Sequence, residues 1–349
     1  MSFLQEIVLQ CIHLINGDRT VYAIYHLLKG KKSSQTIQDA HLYHLSKWFQ
    51  TTPSLSREQF DGIIRLLVKQ QWIQLNDQKA AIITKKGLAE IKAFEQKIDF
   101  PYLNGWQLQD TAKIAWRRLN LLVQVASNLI YENTKYYPIE RDESIQFWVK
   151  TYIQNLHLNR RQLADQLYKE FESLLDSQEV DCPTLLTLRF TGENSTGKTV
   201  LQCAQILKIE HTEYYFRFLH LFHYCIQKIL QNKEIFPLLY LTVQDVHQTI
   251  PLTYSTMKTY RLFKEGNSIE EISTIRNLKI STIEDHFVEI ALFHPQFSIS
   301  LFISQEKIEK VLQIAHTLPN KRLKPIKERI PDLSYFQIRL VLAKYGGSI

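Results

Sequence analysis

The sequence predicts a mainly α-helical protein with an N-terminal winged helix carrying a small β wing, a central helical region and a C-terminal helix-turn-helix. Three observations predict this. Apolar residues recur three and four positions apart along most of the 349 residues, the period of amphipathic helices. Glycine and proline number only 10 each, so connections are short and Gly-rich loops scarce. Two short β-type runs, Trp72–Leu75 and Ala80–Thr84, flank a polar turn, which is the signature of a hairpin.

In the first segment, residues 1–98, helices are expected over about 2–15 and 19–28, then from Ile37 to Phe49. Ser54 or Ser56 caps a fourth helix reaching about Gln70, with Phe60, Ile63, Ile64, Leu67 and Val68 on one face. The hairpin follows, and Lys85-Lys86-Gly87 leads into a last helix. The connection before the third helix gathers Lys29, Lys31, Lys32, Ser33, Ser34, Gln35 and Thr36 around Gly30. Backbone N–H groups and hydroxyls at a helix start hold phosphate, and lysines add charge. Lys79, Lys85 and Lys86 sit on the wing. These residues are the first DNA-binding candidates; a solvated loop on a protein-contact module is the alternative.

The second segment, 99–250, reads as helices over 106–132, 142–155 and 160–176. Trp116-Arg117-Arg118 is expected to be a helix face packed by the tryptophan with its arginines in solvent. Gly192 to Thr199, GENSTGKT, matches the phosphate-binding loop pattern, with Lys198 for phosphate, Thr199 for magnesium and Thr184–Phe190 as a preceding strand. A domain of that kind needs several alternating strands and helices, and the surrounding sequence is helical. A short helix at 199–207, a turn and a helix at 212–230 fit the same residues better. Gln202-Cys203-Ala204-Gln205-Ile206-Leu207 resembles the first helix of the sigma-factor region-four helix-turn-helix.

The third segment, 251–349, holds a helix at 255–265 stopped by Gly266, a helix at 269–276 capped by Ser268, and a helix capped by Ser281 and running to Leu292. Arg276, Lys279, Ser281 and Thr282 are candidate backbone contacts, whereas Glu284, Asp285 and Glu289 bring the wrong sign to phosphate. DNA and protein contact are equally open for this helix-turn-helix. The basic run Lys321, Arg322, Lys324, Lys327 and Arg329 precedes a final helix packed through Tyr335, Ile338, Leu340 and Val341.

Charge follows the same division. The net charge is +7, but residues 1–92 carry +5, residues 317–349 carry +5 and the middle −3. The basic ends suit a polyanion. Cys11, Cys182, Cys203 and Cys225 show neither disulfide nor zinc spacing. His211, His220 and His223 do not converge with acids. No cofactor, metal or catalytic residue is expected. The amino terminus reads as an amphipathic helix, not a signal peptide, and no run spans a bilayer.

Two resemblances add to this reading. Leu27–Ile37, Leu55–Leu67 and Ile83–Gly87 resemble the RecQ-C-terminal winged helix of RecQ-class helicases. Gly266-Asn267-Ser268-Ile269 and Ser281–His286 resemble the helix-turn-helix at the end of some of those enzymes. The zinc subdomain and the motor that accompany them there are not found in this sequence. Together the pattern resembles the YpbB family of Firmicute bacteria. The resemblance implies a non-catalytic DNA-binding accessory subunit of a separate RecQ-class helicase, acting in repair, recombination or fork maintenance in the cytoplasm, at the nucleoid. It also implies a seat for the acidic tail of single-stranded-DNA-binding protein near Arg65, Lys69 and Trp72. The alternatives are a sequence-specific transcription regulator and, less well supported, a phosphate-loop NTPase.

Overall fold

The computed structural model describes residues 2–180, 182–318 and 322–346. Its helices run, in chain order, α1 (Phe3–Ile15), α2 (Tyr22–Lys29), α3 (Ser34–Leu42), α4 (Arg57–Lys69), then strands β1 (Ile73–Leu75) and β2 (Ala81–Ile83) and α5 (Lys85–Glu95). The chain continues with α6 (Gly105–Ile130), α7 (Glu143–Asn155), α8 (Arg160–Leu175), α9 (Thr184–Thr187), α10 (Val200–Leu207), α11 (His211–Gln231) and α12 (Pro237–Leu241). It ends with α13 (Tyr254–Lys264), α14 (Ile269–Arg276), α15 (Ile280–Phe293), α16 (Gln305–Thr317), α17 (Leu323–Arg329) and α18 (Tyr335–Tyr345). The fold is mainly α, with one two-stranded sheet among the described residues.

The chain forms two compact units. One holds residues 1–4 and 96–247; the other holds 5–95 together with 248–349. Most of the first segment and the third segment share one unit.

In the unit built on 96–247, α6 packs against α7, α8 and α11. Trp116 of α6 lies among Phe190, Phe218 and Phe222, with centroids 5.0–5.6 Å away. The arginines after it are not solvated as expected. Arg118 is buried, bonded to both carboxylate oxygens of Asp245, and lies 4.0 Å over the Trp148 ring. Arg117 pairs with Glu140 and Asp142. A buried guanidinium must be paired, because desolvation without a counter-charge costs several kcal/mol.

In the other unit, β1 pairs antiparallel with β2, Ile73 opposite Ile83 and Leu75 opposite Ala81. Ser56 caps α4 in a capping box with Gln59. Helix α3 is shorter than the 37–49 expectation. It stops at Leu42, because the chain turns at His44 (φ 55°) into a 3-10 turn at Ser46–Trp48 that buries Trp48. Helix α15 is the hub of the carboxyl-terminal part, packed on α13, α14 and α18 and also on α3. Ile338, Leu340 and Val341 of α18 are buried as expected; Tyr335 is not, being 48% exposed.

Candidate nucleic-acid interface

The wing is built by close backbone approach. A Cβ on Gly87 would lie 2.2 Å from the Trp72 carbonyl oxygen, so only glycine fits where α5 leaves the hairpin. Lys79 at the turn and Lys85 and Lys86 in the first turn of α5 are exposed. No acidic residue shares that turn. Lysines at a helix start oppose the helix dipole, so folding gains nothing from them there.

The 29–36 connection divides into exposed and internally engaged groups. Gly30 takes φ 77° to close α2, and Lys31 and Lys32 stand exposed after it. Lys29 Nζ donates to the Leu55 carbonyl. Ser33 caps α3 by accepting from the Thr36 N–H. Ser34 Oγ accepts from Arg339, Gln35 donates to Asp39, and Thr36 is buried. The start of α3 is therefore turned largely to internal bonds, leaving lysine charge as its outward chemistry.

The helix-turn-helix is α13, α14 and α15. Ser268 and Glu271 form a capping box on α14, and Asn277 in the left-handed region (φ 50°) makes the turn. Lys279, not Ser281, occupies the N-cap of α15, and no side chain caps it. The helix begins two residues earlier than expected and leaves Ser281 exposed in its first turn.

Two of the three acids of α15 are engaged within the unit, and Glu284 is half-buried beside them. Glu289 is buried and accepts from the Thr253 N–H and from the Thr253 and Thr256 hydroxyls. Burial raises its pKa, and those bonds oppose the rise. Asp285 pairs with Arg339. His286 bonds the Thr259 hydroxyl at 2.8 Å, and burial, then the Arg276 charge, holds it down at about 4. Arg276 donates to the Ser255 carbonyl and hydroxyl and to Thr259. What α15 offers outward is its first turn: Lys279, Ile280 and Ser281 exposed, Thr282 half-buried.

Sequence reasoning passed over α13, whose Lys258, Arg261 and Lys264 are exposed beside the exposed Tyr254, with Lys258 Nζ 4.4 Å from that ring. Their spacing of three along one helix was the available signal.

Within the basic run, Lys321 lies outside the described residues. Lys324, Lys327 and Arg329 lie on α17, and Arg322 is its N-cap. Arg322 pairs with Asp18 and donates to the Gly17 carbonyl, Lys327 donates to the Pro331 and Leu333 carbonyls, and Arg329 donates to Thr317. Lys324 is exposed, 3.9 Å from Glu328. Arg65 and Lys69 are exposed one turn apart on α4, and Trp72 is half-buried.

GENSTGKT joins α9 to α10; Thr184–Thr187 is helical, not a strand. Several of its backbone N–H groups are engaged internally. Gly192 bonds Ser195, Glu193 bonds Ser127, Gly197 bonds Thr191, and Lys198 bonds Leu188. Thr199 caps α10 in a capping box with Gln202, and Lys208 (φ 55°) makes the turn to α11. Among the described residues no group of three or more His, Cys, Asp or Glu could hold a metal ion, and no helix is long and apolar enough to cross a membrane.

Comparison with known proteins agrees with this geometry. A family model described as a helix-turn-helix domain matches residues 255–342, which span α13 to α18. Such a domain suggests DNA binding. No solved structure matches the chain. Protein YpbB of Bacillus subtilis (strain 168) is 33% identical over 347 residues, covering 99% of this chain and 98% of that protein. With the winged helix, the helix-turn-helix and similarity along its whole length, the chain belongs to the YpbB family.

Proposed function

We propose that this protein is a non-catalytic DNA-binding accessory subunit of a RecQ-class helicase carried on another chain, working in repair, recombination or fork maintenance at the nucleoid. One observation carries the reading. The two modules that resemble the parts following a RecQ motor, the winged helix and the helix-turn-helix, belong to one compact unit. That unit presents Lys31, Lys32, Lys79, Lys85, Lys86 and Lys279 outward, cations suited to phosphate. Lys85 and Lys86 weigh most, because their placement at a helix start disfavours folding and needs another explanation.

A sequence-specific regulator reads bases with an open recognition helix. Helix α15 is instead packed on four neighbours, with Asp285 and Glu289 engaged, which leaves its first turn as the open end for base readout. Exposed Lys258, Arg261 and Lys264 favour backbone contact. Arg65, Lys69 and Trp72 remain the proposed seat for an acidic, aromatic-ended tail such as that of single-stranded-DNA-binding protein. Affinity purification from the native host after nuclease treatment tests the reading. A RecQ-class helicase should co-purify; its absence overturns the accessory role.

A further inference from the structure

Arg57 and Lys79 meet the aromatic rings of α2 on the winged helix. The Arg57 guanidinium carbon lies 3.3 Å from the Tyr22 ring centroid and 5.6 Å from that of Tyr25. Its Nε is tied to Asp61 at 3.3 Å. The guanidinium carbon thus lies over one ring at van der Waals distance, with the side chain 47% exposed. Lys79 Nζ lies 5.6 Å from the Tyr22 ring and Lys29 Nζ 5.7 Å from the Tyr25 ring. Phe60 backs both tyrosines, at 6.4 and 5.5 Å, and fixes them from the core side. His26 stands 5.5 Å from Tyr25 and is held below its ordinary pKa by burial, then by the charges of Lys31 and Arg57. The field of those two cations therefore converges on His26.

The ion pair alone does not account for this grouping. Arg57 has one carboxylate partner, Asp61, in an exposed pair, and such pairs contribute about 0–1 kcal/mol. Lysine charge alone would serve duplex and single strand alike, because both present phosphates. The stacked guanidinium discriminates between them. Its outer face is a flat, polarised platform, and only an unpaired base has a π face to lay on it.

We propose that Arg57, stacked on Tyr22 and flanked by Tyr25, is a seat for single-stranded nucleic acid, one base stacking on the guanidinium and the exposed Lys31 and Lys79 taking the adjoining phosphates. The proposal rests on reading this unit as nucleic-acid-binding, and it assigns the seat to residues distinct from the α5 lysines.

The test is fluorescence anisotropy of the full chain with an oligothymidine and with a blunt DNA hairpin, each at low and moderate salt. Arg57→Lys keeps the charge and removes the plane. It should weaken oligothymidine binding about fivefold or more, the low end for one stacked base, while hairpin binding stays within about twofold. Lys79→Ala, a second exposed substitution, should weaken both and reduce the salt slope. The proposal fails if the native chain does not bind oligothymidine, if Arg57→Lys leaves that binding unchanged, or if it weakens both DNAs alike. It also fails if Arg57→Lys abolishes capture of an acidic, aromatic-ended peptide and spares the oligonucleotide. Helicase capture by the Arg57→Lys chain after nuclease treatment reads the accessory role separately, so loss of one reading does not carry the other with it.

Discussion

Arg339 of α18 pairs with Asp285 of α15 and donates through the same guanidinium to Ser34 Oγ at 2.7 Å and Gln38 Oε1 at 3.1 Å on α3. One side chain thus links the helix-turn-helix, the final helix and the winged-helix segment within their shared unit. It also neutralises an acid that would repel phosphate from α15.

Arg339→Leu should therefore destabilise this unit by about 1–3 kcal/mol, the cost of leaving polar partners unsatisfied. Asp285→Asn should cost less, because an amide still accepts from the guanidinium. Urea midpoints of the three proteins check the order. Equal stability of Arg339→Leu and the native chain would remove the link.

Replacing Lys85 and Lys86 by glutamate should move stability and DNA affinity in opposite directions. Carboxylates in the first turn of α5 interact favourably with its dipole, by about 0.3–1 kcal/mol each. The same change brings repulsion to phosphate and should weaken binding across unrelated DNA sequences. Thermal denaturation and anisotropy on the same samples check the pair of signs. A fall in both would make these lysines structural.

His286 ties stability to pH. In the unfolded chain it takes up a proton near 6.5, whereas the folded site resists protonation until about 4. The unfolded state therefore binds more protons across that window, and stability falls as pH falls through it, by at most ~1.4 kcal/mol per pH unit from this group. His286→Gln should shrink the loss of melting temperature between about pH 7 and about pH 5, because glutamine does not titrate. An unchanged slope would assign the acid sensitivity elsewhere, with His223, held down at about 3 by burial, the next group to replace.

The GENSTGKT segment should not confer nucleotide binding. A ligand at about 100 times its Kd would stabilise the fold by ~2.7 kcal/mol. Adding ATP and magnesium should leave the melting temperature unmoved, in the native chain and in Lys198→Ala alike. A shift that disappears in Lys198→Ala would restore the phosphate-loop reading despite the engaged N–H groups of Gly192, Glu193, Gly197 and Lys198.

By itself, the sequence determined what depends on neighbours along the chain. The Ser268 cap, the Gly266 stop and the hairpin across Asn76–Lys79 are local, since a cap or turn closes within four residues. The family resemblance was legible for the same reason, in short runs that keep their spacing. Tertiary structure alone decided which charges remain available. Arg118, Arg276, Arg322 and Lys327 read as surface cations in sequence, yet find partners at Asp245, Ser255, Asp18 and Leu333. Glu289 reads as an obstacle to phosphate, yet is buried capping α13. The Arg57–Tyr22 stack joins residues 35 positions apart, and α3 meets α15 from the far end of the sequence. No periodicity encodes such meetings. Packing sets them, because a charge drawn out of water must find a partner wherever the fold brings one near.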